Sequence, residues 1–221
     1  QTLYPFIIIM SFSALAKRSF STQFRTPVIA LMSGSAREGS VNTKLIHAAE
    51  TVAKGLGAET KVIDLGGYDM PIYNQDFEAS SGIPDAVQQL KADLQSADGW
   101  IVASPEYNGF STPLLLNAVT WCSRGDLDGE MYATFKGKSA VVLSASPGAM
   151  GGMRSLNPNR QLLTNLGVSV LPDSVAVGGA FGAFDDSGAL TNEGQNAMLQ
   201  GAVEKLFYQT QTLPTARLPA R

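Results

Sequence analysis

The chain has 221 residues, of which 44% are hydrophobic and 16% charged, and its net charge is −3. This length fits one α/β domain with an extension, or two small domains, and the apolar content supports a substantial core. A weakly acidic chain has no global basic field, which argues against nucleic acid as a main partner.

Cysteine and histidine are almost absent. The single cysteine, Cys122, excludes an internal disulfide and any cysteine-based metal cage, and the single histidine, His47, excludes a multi-histidine site. Because His47 falls on a predicted helix, we expect it to face solvent or to pack, and not to act as the base of a Ser-His-Asp triad. The sequence therefore predicts no metal site and no histidine-based catalysis.

The N-terminal residues differ in composition from the rest of the chain. Residues 3–10 are apolar but too short to span a bilayer, so we expect no stable membrane insertion. Residues 10–26 are rich in serine and basic residues and contain no acid, a composition typical of organelle transit peptides. The alternatives are a mitochondrial or plastid signal, or, on a cytoplasmic protein, a disordered leader or a translated upstream sequence with Met10 as the true start.

We accordingly exclude residues 1–26 from the fold. A single domain is predicted for residues 27–210, followed by a C-terminal tail at 211–221. We find no internal repeat and no linker within the domain.

From Pro27 onward, apolar runs typical of buried strands alternate with helical patterns. The first strand is predicted at 28–32, and a helix follows the Ser/Gly loop and ends near Gly55 and Gly57. Residues 66–82 are rich in Gly, Pro, Asn and Ser and are predicted as a loop. The further predicted strands are 60–65, 99–104, 138–146 and 168–177, and the further helices are 84–98, 114–124, 153–166 and 193–208.

Strands that alternate with helices indicate βαβ units, and hence a parallel sheet covered on both faces. Five strands in one domain fit a doubly wound α/β architecture, in which ligands bind beyond the carboxyl ends of the strands. The loops richest in Gly, Ser and Asn follow the first, third and fourth strands. All three are therefore expected on one rim of the sheet.

The first of these loops reads "SGSAREGSVNT" over residues 33–43. It lacks the middle glycine of a dinucleotide fingerprint, and Ser40-Val41 stands where a P-loop requires Lys-Ser/Thr. Backbone N–H groups at a helix start favour an anion, and Arg37 adds a charge-assisted contact, which suits a monophosphate. The alternative is plain N-capping by Asn42 or Ser40. Side-chain donors are present at Ser33, Ser35, Ser40, Asn42 and Thr43.

The second loop, "PEYNGFSTP" at 105–113, places Tyr107 beside Asn and Gly, so that a flat heterocycle could lie on the ring; the alternative is an ordinary turn. Glu106 has no evident partner that would make it a general base.

In the third loop, "SASPGAMGG" at 144–152, the Ser146 hydroxyl could reach a ring carbonyl, and small residues permit close approach of a ligand or another chain. Together, a phosphate seat, a platform and a small-residue wall describe a site for FMN.

The segments "GSAREGSVNTKL" (34–45), "SPEYNGFSTPLLLNAVTWCSR" (104–124) and "SASPGAMGG" (144–152) resemble the NADPH-dependent FMN reductases. That family includes bacterial chromate/quinone reductases and related yeast and plant quinone reductases. The similarity covers about residues 27–210. It implies a flavodoxin-like, doubly wound five-stranded parallel sheet with helices on both faces.

The resemblance also implies an FMN site and an assembly as homodimer or homotetramer, with Trp121, Cys122 and Arg124 as interface or packing residues. Leu116 and Thr120 depart from the family, where Lys and Asp are common. The implied phosphate residues are Ser35, Arg37, Ser40, Asn42 and Thr43; the implied ring contacts are Pro105, Glu106, Tyr107, Asn108 and Gly109, with Ser146, Gly148 and Gly151 at the other edge.

The expected activity is that of an NAD(P)H oxidoreductase in which FMN carries the chemistry and no protein residue is catalytic. NADPH or NADH would pass a hydride to the flavin, and a quinone, chromate, azo compound, ferric chelate or free flavin would then take two electrons in a ping-pong cycle. One alternative is an FMN electron carrier or sensor without turnover, although carriers are usually more acidic. A serine hydrolase is the other, but the chain lacks G-x-S-x-G.

Overall fold

The computed structural model describes residues 25–125 and 130–212 of the chain. The predicted extension up to residue 24 and the predicted tail from residue 213 lie outside the described residues. The strands are β1 (Val28–Ser33), β2 (Glu59–Ile63), β3 (Gly99–Ala103), β4 (Ser139–Ala145) and β5 (Ser169–Val177). The helices are α1 (Val41–Gly55), α2 (Gln75–Ser81), α3 (Asp85–Gln95), α4 (Pro113–Cys122), α5 (Met153–Asn165) and α6 (Glu193–Thr212).

The five strands form one sheet in the order β2-β1-β3-β4-β5, and every neighbouring pair is parallel. This is the flavodoxin-like order, in which the direction of winding reverses between β1 and β3. The central strands β3 and β4 are buried along their whole length, as expected for strands covered on both faces. The predicted doubly wound five-stranded sheet is confirmed.

Each face of the sheet carries its own core. Side chains such as Leu31 and Leu143 pack against α1 and α6 on one face. Alternate residues of the same strands, such as Trp100 and Val142, pack against α3, α4 and α5 on the other. The period of two along each strand thus divides the apolar side chains between two helical layers.

The prediction of a loop over residues 66–82 was wrong for part of this stretch. A short 3-10 turn covers Leu65–Gly67, and α2 spans Gln75–Ser81. Asn74 caps α2 by accepting hydrogen bonds from the backbone N–H groups of Asp76 and Phe77. Within this described segment no residue of α2 is buried, so the helix leaves no apolar periodicity in the sequence.

The ordered fold also extends beyond the predicted domain at both ends. Arg25, which we excluded from the fold, forms an ion pair of 2.7 Å with Asp98. The fully buried Asp98 carboxylate also accepts a hydrogen bond of 2.8 Å from the backbone N–H of Val28. At the other end α6 continues to Thr212, two residues into the predicted tail.

Helix α4 holds the segment that follows β2. The Trp121 indole N–H donates to the Pro71 carbonyl at 2.7 Å, and the Arg124 guanidinium donates to the Glu78 carboxylate at 2.9 Å. Cys122 is buried in the core beneath, and this burial raises the pKa of its thiol to about 12. These residues therefore have packing roles within the chain.

In the described part of the chain, no helix has the length and apolarity needed to cross a membrane.

Candidate active site

The first loop, residues 34–40, leads from β1 into α1. Ser40 is the N-cap of α1, and its hydroxyl accepts a hydrogen bond of 3.2 Å from the backbone N–H of Asn42. The first turn of α1 contains no acidic residue. The positive end of the helix dipole, with N–H groups that a helix cannot satisfy internally, therefore faces the rim with no carboxylate in the first turn of the helix.

Arg37 and Ser35 belong to the exposed part of this loop. The Ser35 hydroxyl accepts from the backbone N–H of Arg37 at 3.3 Å. The Arg37 guanidinium donates to the carbonyls of Glu38 and Gly39 at 3.2 and 3.3 Å. Because these partners are neutral and the side chain is exposed, an anion would compete for the guanidinium effectively.

Asn42 does not have the position expected of a phosphate ligand. Its side chain is 1% exposed and forms two hydrogen bonds with the backbone of Ala145, at the end of β4. Both polar atoms of the amide are thereby engaged inside the protein. Asn42 thus connects the start of α1 to β4, the strand that precedes the third loop. Of the two residues considered as the N-cap of α1, Ser40 has that position.

The second loop, residues 104–112, contains a two-residue hairpin turn. The backbones of Tyr107 and Phe110 exchange hydrogen bonds of 3.1 and 3.0 Å, and the intervening Asn108 and Gly109 have φ values of 55° and 76°. Positive φ at both central positions is the type I′ pattern that Asn-Gly favours. The turn is therefore present, and the Tyr107 and Phe110 side chains on either side of it are each about half exposed.

Glu106 has a partner that the sequence did not reveal. The Arg154 guanidinium donates to Glu106 at 2.6 Å through Nε, and the backbone N–H of Arg154 donates to the other carboxylate oxygen at 3.1 Å. The Glu106 side chain is only 10% exposed, whereas that of Arg154 is 67% exposed. Glu106 is therefore a charge-paired residue that joins the second loop to α5.

The third loop, residues 146–152, owes its glycines to close packing within the chain. Gly152 has φ of 79°, and a Cβ there would lie 2.2 Å from the hydroxyl of Ser144. A Cβ on Gly151 would lie 2.7 Å from the backbone of Val177. The close approach expected for a ligand or another chain is thus made at these positions by the protein's own strands.

An open cleft of about 560 Å³ lies between the second and third loops. It brings together six of the predicted site residues: Glu106, Asn108, Gly109, Ser146, Gly148 and Gly151. Arg154 and Met150 also line it and were not predicted; the only signal for Arg154 in the sequence is its place after the Gly-Gly pair. Among the described residues, those of the first loop do not line this cleft.

The first loop nevertheless adjoins the second. The backbone N–H of Gly34 donates to the Ala103 carbonyl at 2.8 Å, and the Thr112 hydroxyl donates to the Gly34 carbonyl at 2.7 Å. A Cβ on Gly34 would lie 2.8 Å from the Ser104 hydroxyl, so a larger residue there would displace the Ser104 side chain. The second loop is therefore joined to the first loop here and to α5, the helix that follows the third loop, through Arg154. Asn42 joins the start of α1 to the end of β4, the strand that precedes the third loop.

The donor chemistry of these loops fits a flavin mononucleotide. A helix N-terminus with hydroxyls and an arginine suits one phosphate. The cleft between the second and third loops is lined by four glycines together with Glu106, Asn108, Ser146 and Arg154, and such a polar lining suits the edges of a flat ring. The predicted ring contacts Pro105 and Tyr107 are not among the residues that line it. The fold defines a flavodoxin-like protein, and the donors at the N-terminus of α1, beside the switch point between β1 and β3, fit the phosphate of a mononucleotide.

Comparison with known proteins makes the class specific. The family model described as NADPH-dependent FMN reductase matches residues 27–182. An NAD(P)H-dependent FMN reductase of Pseudomonas aeruginosa is 34% identical over 177 residues, covering 79% of this chain and 90% of the relative. A quinone reductase of Pseudomonas putida is 33% identical over 180 residues, covering 80% of this chain and 91% of the relative.

A solved structure agrees with these relatives. A flavoenzyme NAD(P)H:(acceptor) oxidoreductase from Paracoccus denitrificans superimposes with a TM-score of 0.70 at 27% identity, covering 85% of this chain and all of that one. The chain belongs to the NADPH-dependent FMN reductase family. It is accordingly a flavin-dependent oxidoreductase, and the predicted resemblance and enzyme class are confirmed.

Proposed function

We propose that this protein uses FMN to transfer electrons from NAD(P)H to quinones or chemically similar acceptors. The observation that carries the proposal is the cleft between the second and third loops, together with the connection of the first loop to the second through Thr112 and Gly34. Relatives of this chain are named as FMN reductase and quinone reductase, which supports both the cofactor and the acceptor class. When bound, FMN supplies the hydride and electron chemistry.

The residues of the first loop would hold the phosphate. Ser35, Arg37, Ser40 and Thr43 surround the N-terminus of α1, where oriented N–H groups favour an anion. Asn42 would not contact the phosphate itself; it would hold the start of α1 against β4 through its hydrogen bonds with Ala145. This division leaves the exposed Arg37 as the one cation of the loop available to an anion.

The second and third loops would hold the ring system. Because Tyr107 and Phe110 use their backbone N–H groups on each other, the groups offered to a ring edge are those of Asn108 and Gly109. Pro105 and Glu106 complete this side. At the other edge, the Ser146 hydroxyl with Gly148 and Gly151 would contact the ring, since these residues line the same cleft.

Hydride transfer between NAD(P)H and flavin requires close stacking and the exclusion of water from the reacting face. The half-exposed side chains of Tyr107, Phe110 and Met150 provide an apolar rim against which a nicotinamide or quinone ring could stack. Use of the same exposed face by donor and acceptor in turn would give ping-pong kinetics. We further propose that the chain works as a homodimer or homotetramer, as the family resemblance implies.

The alternative of an electron carrier without turnover has less support. The two Pseudomonas relatives, which match about four fifths of this chain, are both named as reductases. One assay separates the two. The purified protein is reconstituted with FMN, its visible spectrum is recorded, and NADPH or NADH is added with and without a quinone. We expect a flavin spectrum that bleaches with the nicotinamide and recovers with repeated turnover on quinone. A chain that binds no FMN, or that bleaches without turnover, would refute the proposal.

A further inference from the structure

A buried pair of polar side chains, Ser111 and Asn159, lies beneath the second loop. The Ser111 hydroxyl donates a hydrogen bond to Oδ1 of Asn159, in the middle of α5. Ser111 is 5% exposed and Asn159 is 1% exposed. The two residues are 48 positions apart, so the contact exists only because α5 packs under the loop.

The position of Ser111 connects this pair to the candidate site. Ser111 follows Phe110, which closes the hairpin turn, and precedes Thr112, which caps α4 and bonds the first loop through Gly34. The second loop is thus attached to α5 at three points, one of which is a hydrogen bond of 3.4 Å from the Ser155 hydroxyl to the Ser104 carbonyl. Arg154 contacts Glu106 at the open side, and Asn159 contacts Ser111 at the buried side.

The side chain of Asn159 lowers the stability of the folded protein. Its Nδ2 is buried and has no hydrogen-bond partner among the described residues. Turning the amide over would only exchange the unsatisfied atom. A buried donor without a partner opposes stability, whereas an apolar residue at this position would extend the contacts of Leu156 and Leu163 with the core. Stability therefore does not explain an asparagine here.

We propose that Asn159 is a positioning residue: through Ser111 it fixes the second loop in the conformation that presents the Asn108-Gly109 turn to the flavin ring. The inference deepens the proposed function and rests on it. Buried polar contacts cost stability but select one arrangement of the groups that they join. The Arg154–Glu106 pair and the Ser155–Ser104 hydrogen bond act on the residues before the hairpin turn, whereas the Ser111–Asn159 contact fixes the residue that directly follows it.

The test uses the full chain in its FMN-bound and FMN-free forms. Asn159→Leu retains the heavy-atom skeleton of the side chain and removes its polar atoms, and Ser111→Ala removes the donor. The double variant replaces both partners by apolar groups. Asn157→Leu, at an exposed position of the same helix, is the matched control. FMN dissociation constants are measured by flavin fluorescence, the bound ring by visible circular dichroism, and stability by thermal unfolding of the FMN-free form.

We expect the FMN dissociation constant of Asn159→Leu to rise about three- to tenfold, the range set by one lost hydrogen bond. Ser111→Ala should show a similar rise, and the double variant no further rise, because all three changes remove one contact. The double variant should melt no lower than the wild type, although its flavin circular dichroism differs. Asn157→Leu should leave binding and dichroism unchanged.

A lowered melting temperature with unchanged FMN binding would overturn the proposal, since it would show a purely structural role. Independent, multiplying effects of the two single changes would also overturn it. If Asn159→Leu does not fold, Ser111→Ala decides alone, and unchanged FMN binding in that variant refutes the proposal. Failure of the wild type itself to bind FMN refutes the proposed function, and the wild-type measurement distinguishes that result from the others.

Discussion

The side-chain amide of Asn42 and the backbone of Ala145 exchange two hydrogen bonds, each of 2.9 Å, across 103 positions of the sequence. The amide accepts from the Ala145 N–H and donates to the Ala145 carbonyl. The contact lies where α1 begins and β4 ends, so it fixes the distance between the first and third loops. It also satisfies backbone groups of β4 at the point where the strand leaves the sheet.

Replacement of Asn42 by alanine should lower the free energy of unfolding by about 1–3 kcal/mol, because buried backbone groups of Ala145 lose their partners. Urea unfolding measures the change. Asn157→Ala, at an exposed position of α5, should change stability by no more than about 0.5 kcal/mol. Equal effects of the two substitutions would show that the Asn42 contact contributes nothing specific.

Arg37→Ala should raise the FMN dissociation constant about three- to tenfold, because an exposed charge-assisted contact to the phosphate is lost. Its melting temperature should stay near that of the wild type, since the guanidinium contacts only local carbonyls. Fluorescence titration measures the affinity. Lys54→Ala removes the same charge at the far end of α1 and should leave FMN binding unchanged. An equal loss in both variants would indicate a general effect of charge.

The Glu106–Arg154 pair predicts shifts of the flavin potential with opposite signs. A flavin gains negative charge on reduction, so Arg154→Ala, which leaves Glu106 uncompensated, should lower the midpoint potential, and Glu106→Gln should raise it. A range of about 10–30 mV corresponds to roughly 0.5–1.4 kcal/mol for a two-electron couple. Dye-coupled redox titration measures both. The distant pair of Lys205 and Asp173 is the control, and Lys205→Ala should leave the potential unchanged.

Shifts of the same sign in Arg154→Ala and Glu106→Gln would contradict the electrostatic account. They would point instead to a change in loop position, because either substitution breaks the link between the second loop and α5.

Glu78 should contribute to the acid sensitivity of the fold. The hydrogen bond from Arg124 lowers the pKa of Glu78 below its usual value, and the Tyr73 hydroxyl acts in the same direction. The resulting stabilisation is fully present above the unfolded pKa of about 4.3 and is lost as the pH falls through the lower folded pKa. Glu78→Gln should therefore melt below the wild type at pH 7, and this difference should shrink below about pH 4.

Melting temperatures between pH 7 and pH 3 give this comparison, over the range in which carboxylates of about pKa 4.3 titrate. Glu204→Gln, at an exposed position of α6, serves as the control and should follow the wild type throughout. A gap between Glu78→Gln and the wild type that stays constant with pH would show that the carboxylate charge is not involved.

Much of the fold can be predicted from residues that lie close together in the sequence. The pattern of apolar residues predicted the first four strands to within two residues at each end, and the Pro-containing run at 168–177 predicted β5. Ser40 was one of two expected caps of α1, and Asn108-Gly109 specified the turn that the structure shows. His47 was expected to face solvent or pack, and its side chain is 57% exposed. Each of these follows from side chains near one another in sequence.

The missed features depend on distant partners. Helix α2 is stabilised by Asn74 and by Arg124, not by a buried stripe, so no hydrophobic period marked it. Arg25 is joined to the fold by Asp98, a buried residue 73 positions later in the sequence. Asn42, predicted to hold phosphate, binds Ala145 instead, since α1 lies against the end of β4.

The sequence alone determined the alternation of strands and helices, the rim on which the three loops lie, and the family resemblance, because apolar period, turn residues and motif spacing are properties of neighbouring residues. The tertiary structure alone decided how those loops are joined. Arg154 neutralises Glu106, Asn159 holds Ser111, and a cleft opens between the loops because parallel strands bring segments far apart in the chain to one edge.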